Sequence, residues 1–208
     1  MTMRSIVFAS SNAGKIRELD EMLGPLNMQV RSQLEYNVEP LPETAVTFVE
    51  NAIIKARHAS SETGLAAIAD DSGLEVDALN GAPGLYSARF AAMHNAGSGD
   101  ADNNALLLKK LQDVPQHKRT ARFISVVVFL THADDPSPII TEGRWEGHIL
   151  TEVVGTGGFG YDPVFCNADT QQAASTLSKD EKNRLSHRGK AVSAMLKKLT
   201  ELKLQNTL

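Results

Sequence analysis

Residues 5–9, SIVFA, read as a buried strand and run straight into the polar loop SSNAGK before KIRELDEML begins. That last stretch places Ile16, Leu19 and Leu23 on one helical face, and Gly24 with Pro25 supplies the stop. A strand, a short polar loop and a helix in immediate succession point to α/β architecture. MQVRSQ at 28–33 alternates as a second strand, and Thr47-Phe48-Val49-Glu50 resembles a capping box opening a helix that runs to about Gly64. AAIAD at 66–70 is the next expected strand, followed by LEVDAL and the turn NGAPG. The stretch from Asp102 to Leu111 reads as helix, with AAMHNAGSGD as a loose connection before it. ARFISVVVFL at 121–130 and the region from Ile139 to Val154 are long strand-like segments expected to pair. A final helix starts near Ser186 and carries Val192, Met195, Leu196, Leu199 and Leu202 along one side. Strand–helix units first, long strands later and a helix last predict an α/β fold around a mixed sheet.

The chain has 208 residues, enough for one substantial core, and no shift in composition divides it, so a single domain spanning 1–208 is expected. A formal net charge of −4 argues against partners such as nucleic acid or anionic membrane. Cys166 stands alone and suits a reducing compartment. The apolar stretch FISVVVFL at 123–130 is too short to span a bilayer, and MTMRSIVFASSNAGK lacks a signal-peptide core. The expectation is a cytoplasmic protein.

The chemistry concentrates in a few places. In AAIADDSG at 66–73 an apolar run ends in Asp70 and Asp71, with Ser72 and Gly73 behind them. Repulsion and desolvation both oppose two ionised neighbours there. Either the strand surfaces into a turn, or a positive species such as a divalent cation belongs at the site. In SSNAGK (Ser10, Ser11, Asn12, Ala13, Gly14, Lys15) the N–H groups at a helix start attract anions and Lys15 adds a full charge. It is not a Walker A loop, because the earlier glycine is absent and Ile16 follows the lysine. Lys55 lies on the inner face of ENAIIKARHA; taken alone it fits a snorkelling lysine, and Glu43 a solvated acid. GTGGFGYDP at 155–163 combines glycines, which admit a ligand close to the backbone, with Phe159, Tyr161 and Asp162, though a plain hairpin uses the same glycines. In SHRGKA, Ser186 is a good N-cap, yet His187, Arg188 and Lys190 give the first turn the wrong sign for the helix dipole. Such a conflict is expected at a functional site. The remaining histidines lack metal-ligand spacing, and neither a G-x-S-x-G elbow nor a nucleophilic cysteine signature occurs. Anion-binding elements with a carboxylate pair suggest a Mg²⁺-dependent reaction on a nucleotide phosphate.

Five pieces, SSNAGK, TFVENAIIKARHA, ADDSGLEVDALNGAPGLYSARFA, GTGGFGYDPVF and SHRGKA, follow one another between residue 6 and about residue 200. In this order they resemble the inosine triphosphate pyrophosphatases, which hydrolyse non-canonical purine nucleoside triphosphates (ITP, dITP, XTP) to the monophosphate and pyrophosphate. The resemblance implies an elongated mixed β-sheet with flanking helices, two lobes around a central nucleotide-binding cleft, a homodimer and Mg²⁺ as cofactor. By motif, Ser10, Ser11, Asn12, Ala13, Gly14, Lys15 and Lys55 would hold the triphosphate. Asp71 would be catalytic base and metal ligand, with Ser72 near the substrate and Glu43 as second metal ligand. Phe159, Gly160, Tyr161, Asp162, Lys182, His187 and Arg188 would form the nucleoside pocket. The family often carries glycine where this chain has Ser11. Donors on Arg188 and His187 would favour a purine with oxygen at C6. Two alternatives stay open: a related pyrophosphatase for other modified nucleotides, and a sensor that binds nucleotide without turnover.

Overall fold

A computed structural model of the chain describes residues 4–11, 13–24 and 27–204. Its elements are β1 (Arg4–Phe8), α1 (Ala13–Leu23), β2 (Met28–Ser32), α2 (Phe48–Thr63), β3 (Ala66–Val76), β4 (Pro83–Gly84), α3 (Phe90–Met93), α4 (Asp100–Lys110), β5 (Thr120–Leu130), β6 (Ile139–Ile149), β7 (Phe165–Asn167), α5 (Lys179–Leu185) and α6 (His187–Leu204). One sheet of seven strands runs β2-β1-β3-β5-β6-β7, with β4 paired to β3. It is mixed: β1 lies parallel to β2 and β3, whereas β4 is antiparallel to β3 and β7 to β6. The chain forms two compact units, Met1–Asp71 with Ser125–Glu142 and Ala191–Leu208, and Ser72–Ile124 with Gly143–Lys190.

In the first unit, β1, α1 and β2 form one crossover, and α2 then carries the chain back past β1 to β3. Right-handed crossovers in opposite directions place α1 and α2 on opposite faces of the sheet. Burial agrees. Ile6, Phe8 and Ile68 pack with Leu19 and Leu23 of α1 and with Val192, Met195 and Leu199 of α6, the stripe expected from the sequence. Val7, Ala67 and Ala69, one step along each strand, are fully buried outside that cluster. The buried residues of α2 are Asn51 and four small ones, Ala52, Ala56, Ala59 and Ser60. Thr47 caps α2 by accepting the Glu50 N–H, and Gly64 ends it in the left-handed region. The capping box is only half formed, because the Glu50 carboxylate accepts from the Thr47 hydroxyl at 2.6 Å instead of from its backbone.

In the second unit Phe123, Trp145, Tyr161 and Phe165 pack with Leu107 of α4 and with Leu111, which caps its C-terminus. Along β6, Gly143 and Trp145 are buried while Arg144 and Glu146 are exposed, the alternation of a strand with one wet face.

Four expectations need correction. β3 does not end at Asp70: the strand continues unbroken to Val76. Asp, Ser and Gly read as a turn by composition, but Gly73 lets β4 approach so closely that an added Cβ would lie 2.3 Å from the Gly84 carbonyl oxygen. β6 stops at Ile149 rather than Val154, because the N–H groups of Leu150 and Val154 bond to Val164 and Pro163 instead of continuing the ladder. The stretch around AAMHNAGSGD is not loose: Phe90–Met93 is helical, buried Asn103 accepts the Ala91 N–H, and Asp102 accepts the Ser98 N–H. Finally, a separate helix, α5, precedes α6. Its start was legible in Ser178-Lys179-Asp180-Glu181, which forms a complete capping box.

Candidate functional site

Two groups of the expected residues assemble, one in each unit. In the first unit, successive side chains of β3 point to opposite faces, so Asp70 shares the α1 face with Ile68 and Asp71 the α2 face with Ala69. Each carboxylate finds a lysine from the helix on its own side. Lys15 of α1 donates to both Asp70 oxygens at 2.9 and 3.1 Å. Lys55 of α2 donates to Asp71 at 2.8 Å and to Glu43 at 3.1 Å. Two adjacent like charges are thus tolerated in a buried strand because the sheet separates them and a cation meets each one.

Glu43 comes from an irregular segment, and a residue absent from the expected set fixes it. Asn51 of α2 is buried, and its Oδ1 accepts the Ala45 N–H at 3.0 Å, tying the segment to the helix that carries Lys55. Burial pushes the Asp71 carboxyl up; Lys55 pulls it back, Glu43 pushes it further, and it comes to about 6. Burial lowers Lys55, but Asp71, Asp70 and Glu43 together outweigh it and leave the ammonium above its ordinary value.

Ser10 carries its backbone into this unit, its carbonyl accepting from the Ser32 hydroxyl at 3.1 Å, while Ser11 is exposed. Ala13 and Gly14 open α1, so the N–H groups of its first turn, which lack partners within the helix, accompany Lys15. Asn12 lies outside the described residues.

Whether Mg²⁺ suits these residues is decided by the donor set. Oxygens of Glu43 and Asp71 converge on one point, which the Lys55 ammonium marks. Among the described residues no group of three or more His, Cys, Asp or Glu gathers as a metal cage. Mg²⁺ is commonly bound by one or two carboxylates with water and substrate phosphates completing six oxygens, so this pair fits.

In the second unit, Ser72 is half-buried next to Gly73. The turn from Gly158 to Asp162 presents Phe159, whose ring is 50% exposed. Lys182 Nζ stands 4.4 Å and Arg188 Cζ 5.5 Å from the ring centroid. Asp162 is buried, accepts the Phe159 N–H at 2.7 Å, and is paired with Lys182. Gly158 has φ +80°, and a Cβ there would lie 2.1 Å from the Asp162 carboxylate, so only glycine fits. Gly160 is held by Asp100 and Asn104 of α4. Tyr161 is buried in the core and its hydroxyl donates to the Ser87 carbonyl at 2.8 Å. His187 is buried too, stacked on Phe123 with centroids 4.7 Å apart and planes 10° from parallel. Ser186 caps α6 by accepting the Gly189 N–H at 3.1 Å, which brings Arg188 onto the first turn.

The first group can hold a polyanion and move a proton at Asp71; the second offers an aromatic face ringed by donors. Comparison with known proteins gives the family. The Ham1 family profile matches residues 6–198. The chain is 52% identical over 199 residues to a dITP/XTP pyrophosphatase of Vibrio cholerae serotype O1, covering 96% of this chain and 98% of the relative. It is 53% identical over 195 residues to a dITP/XTP pyrophosphatase of Thioalkalivibrio sulfidiphilus, covering 93% and 97%. The solved structure of a HAM1 protein from Coxiella burnetii superposes with a TM-score of 0.89 at 44% identity, covering 96% of this chain and all of that one. With a family profile matching almost its whole length and relatives identical at half of all positions, the chain belongs to the Ham1 family.

Proposed function

We propose that the chain is one pyrophosphatase domain that hydrolyses non-canonical purine nucleoside triphosphates (ITP, dITP, XTP) to the monophosphate and pyrophosphate. The observation that carries this reading is the convergence of Asp71 and Glu43 on Lys55, a buried proton acceptor beside a half-buried cation. Asp71, with its carboxyl raised to about 6, stays ionised at neutral pH yet is more basic than an ordinary carboxylate, as a general base for water requires. Lys55 and Lys15 are placed to take up negative charge on the phosphates as pyrophosphate leaves. Glu43 and Asp71 would hold Mg²⁺, which when bound supplies positive charge to the phosphate oxygens. Ser10 to Gly14 supply backbone donors to the phosphates, and Ser72 lies beside the substrate. Phe159 gives the base a stacking face. Lys182 and Arg188 have only donors, which match a carbonyl oxygen at C6 and oppose the amino group of adenine. The reading extends to a homodimer in a reducing cytoplasm, where a lone buried Cys166 thiol, pushed up by burial, stays inert.

The test is product analysis with ITP and Mg²⁺, alongside kcat/KM for ITP and ATP. Monophosphate and pyrophosphate with a strong preference for ITP are expected. Stepwise orthophosphate release, or equal use of ATP, would overturn the reading; binding without any turnover would favour a nucleotide sensor.

A further inference from the structure

We infer that Asp100 and Asn104, one turn apart on α4, are positioning residues that fix Phe159 for base recognition, an inference that rests on reading the Phe159 group as the nucleobase site. Asp100 Oδ2 accepts the Gly160 N–H at 2.6 Å, and Asn104 Nδ2 donates to the Gly160 carbonyl at 3.0 Å. Residues four apart share a helix face, so one rigid element grips both polar groups of a single glycine. The gripped N–H belongs to the peptide joining Phe159 to Gly160. The peptide on the other side of Phe159 is held as well, its N–H bonded to Asp162 at 2.7 Å. Both peptide planes flanking Phe159 are therefore anchored while the ring itself stays half exposed. That is how a rigid stacking platform is built on an irregular turn.

The chemistry of Asn104 supports a dedicated role. Asn104 is buried, and its Oδ1 has no hydrogen-bond partner among the described residues. Turning the amide over would set that oxygen against the Gly160 carbonyl, so the orientation is fixed by the donor. A buried amide that leaves its acceptor unused is retained for its N–H. Asp100 is exposed as the first residue of α4, where its charge also suits the helix dipole.

The experiment compares Asp100→Ala, Asp100→Asn, Asn104→Ala and Asn104→Asp with the wild type. It reads kcat and KM for ITP, inhibition by inosine monophosphate and by inorganic tripolyphosphate, and thermal melting. Asp100→Ala should raise KM about tenfold and weaken inosine monophosphate to match, the loss of roughly one hydrogen bond, with kcat little changed. Inhibition by tripolyphosphate, which has no base, should be unaffected. Asp100→Asn keeps an acceptor and should recover most of the loss, whereas Asn104→Asp sets an acceptor against a carbonyl and should do no better than Asn104→Ala. Should an Asn104 variant fail to fold, the exposed Asp100 carries the test. Unchanged KM in folded variants, or equal weakening of both inhibitors, would overturn the inference. Absence of ITP turnover in the wild type would instead overturn the proposed function, and inosine monophosphate binding measured directly would still read the clamp.

Discussion

The two groups of candidate residues, one in each unit, are built on opposite plans. In the first unit the working groups are charges, carried on one strand and two helices and already paired with one another: Lys15 with Asp70, Lys55 with Asp71 and Glu43. In the second unit the working surface is a half-exposed ring on an irregular turn, held by backbone hydrogen bonds to Asp100, Asn104 and Asp162. Coulomb attraction falls slowly with distance, so long lysine side chains can serve a polyphosphate without tight placement. Stacking and hydrogen bonding to a base tolerate much smaller errors, so the turn is anchored at several points. Charge can be supplied by regular elements; shape needs clamps.

The sharpest way to break this contrast is Asp71→Asn. It removes the proposed base while leaving the second unit untouched, and turnover should fall by about 10²–10⁴. Retention of more than about a tenth of the activity in a folded variant would place the base elsewhere. Next in size, Lys55→Ala and Lys15→Ala each remove charge-assisted contacts worth roughly 1.5–3 kcal/mol, lowering kcat/KM for ITP by about 10- to 150-fold. Both should also weaken inhibition by tripolyphosphate, and unchanged inhibition would misplace the phosphate contacts.

Gly189→Ala probes the second unit. An alanine in a helix is normally more stable than glycine by roughly 1 kcal/mol. Here the added Cβ would stand 1.7 Å from the Asn183 carbonyl oxygen of α5, so the sign reverses and a loss of about 1–3 kcal/mol is expected. A higher denaturation midpoint would show that α5 and α6 can part without cost.

The smallest effect comes from pH. With the Asp71 carboxyl raised to about 6, kcat/KM should climb through that region and level off above it, being about tenfold lower at pH 5 than on the plateau. Stability runs the other way. The folded state holds this proton more tightly than the unfolded chain, so the contribution is present below the ordinary value of 3.8 and is lost as pH rises through about 6. Asp71→Asn should therefore gain on the wild type across that window, and melting temperatures measured from pH 4 to pH 7 give the answer. An activity profile flat through pH 6 would detach the raised carboxyl from the chemistry.

Much of the scaffold is legible from neighbouring residues. The apolar spacing of Leu19 and Leu23, the Thr47 cap with Gly64 at the other end of α2, and the stripe Val192, Met195 and Leu199 all act within a turn or two of helix, where sequence and structure share a period. The same holds for Ser178 and Glu181, which signal α5 plainly. The motif residues themselves, Lys15, Lys55, Asp70, Asp71 and Phe159, stand out by type and setting.

Their relations to one another do not. Asp70 and Asp71 are adjacent in sequence, yet only the continuation of β3 through Ser72 and Gly73 turns that adjacency into two faces of a sheet. Glu43 meets Lys55 because Asn51 ties down the segment before α2. Asp100 reaches Gly160 across 60 positions of chain, and Tyr161 is turned away to Ser87 across 74. Periodicity and capping are written locally because the groups that satisfy them lie a few bonds apart. Pairings between distant residues depend on crossover handedness, strand register and close glycine contacts, and these exist only once the whole chain has packed.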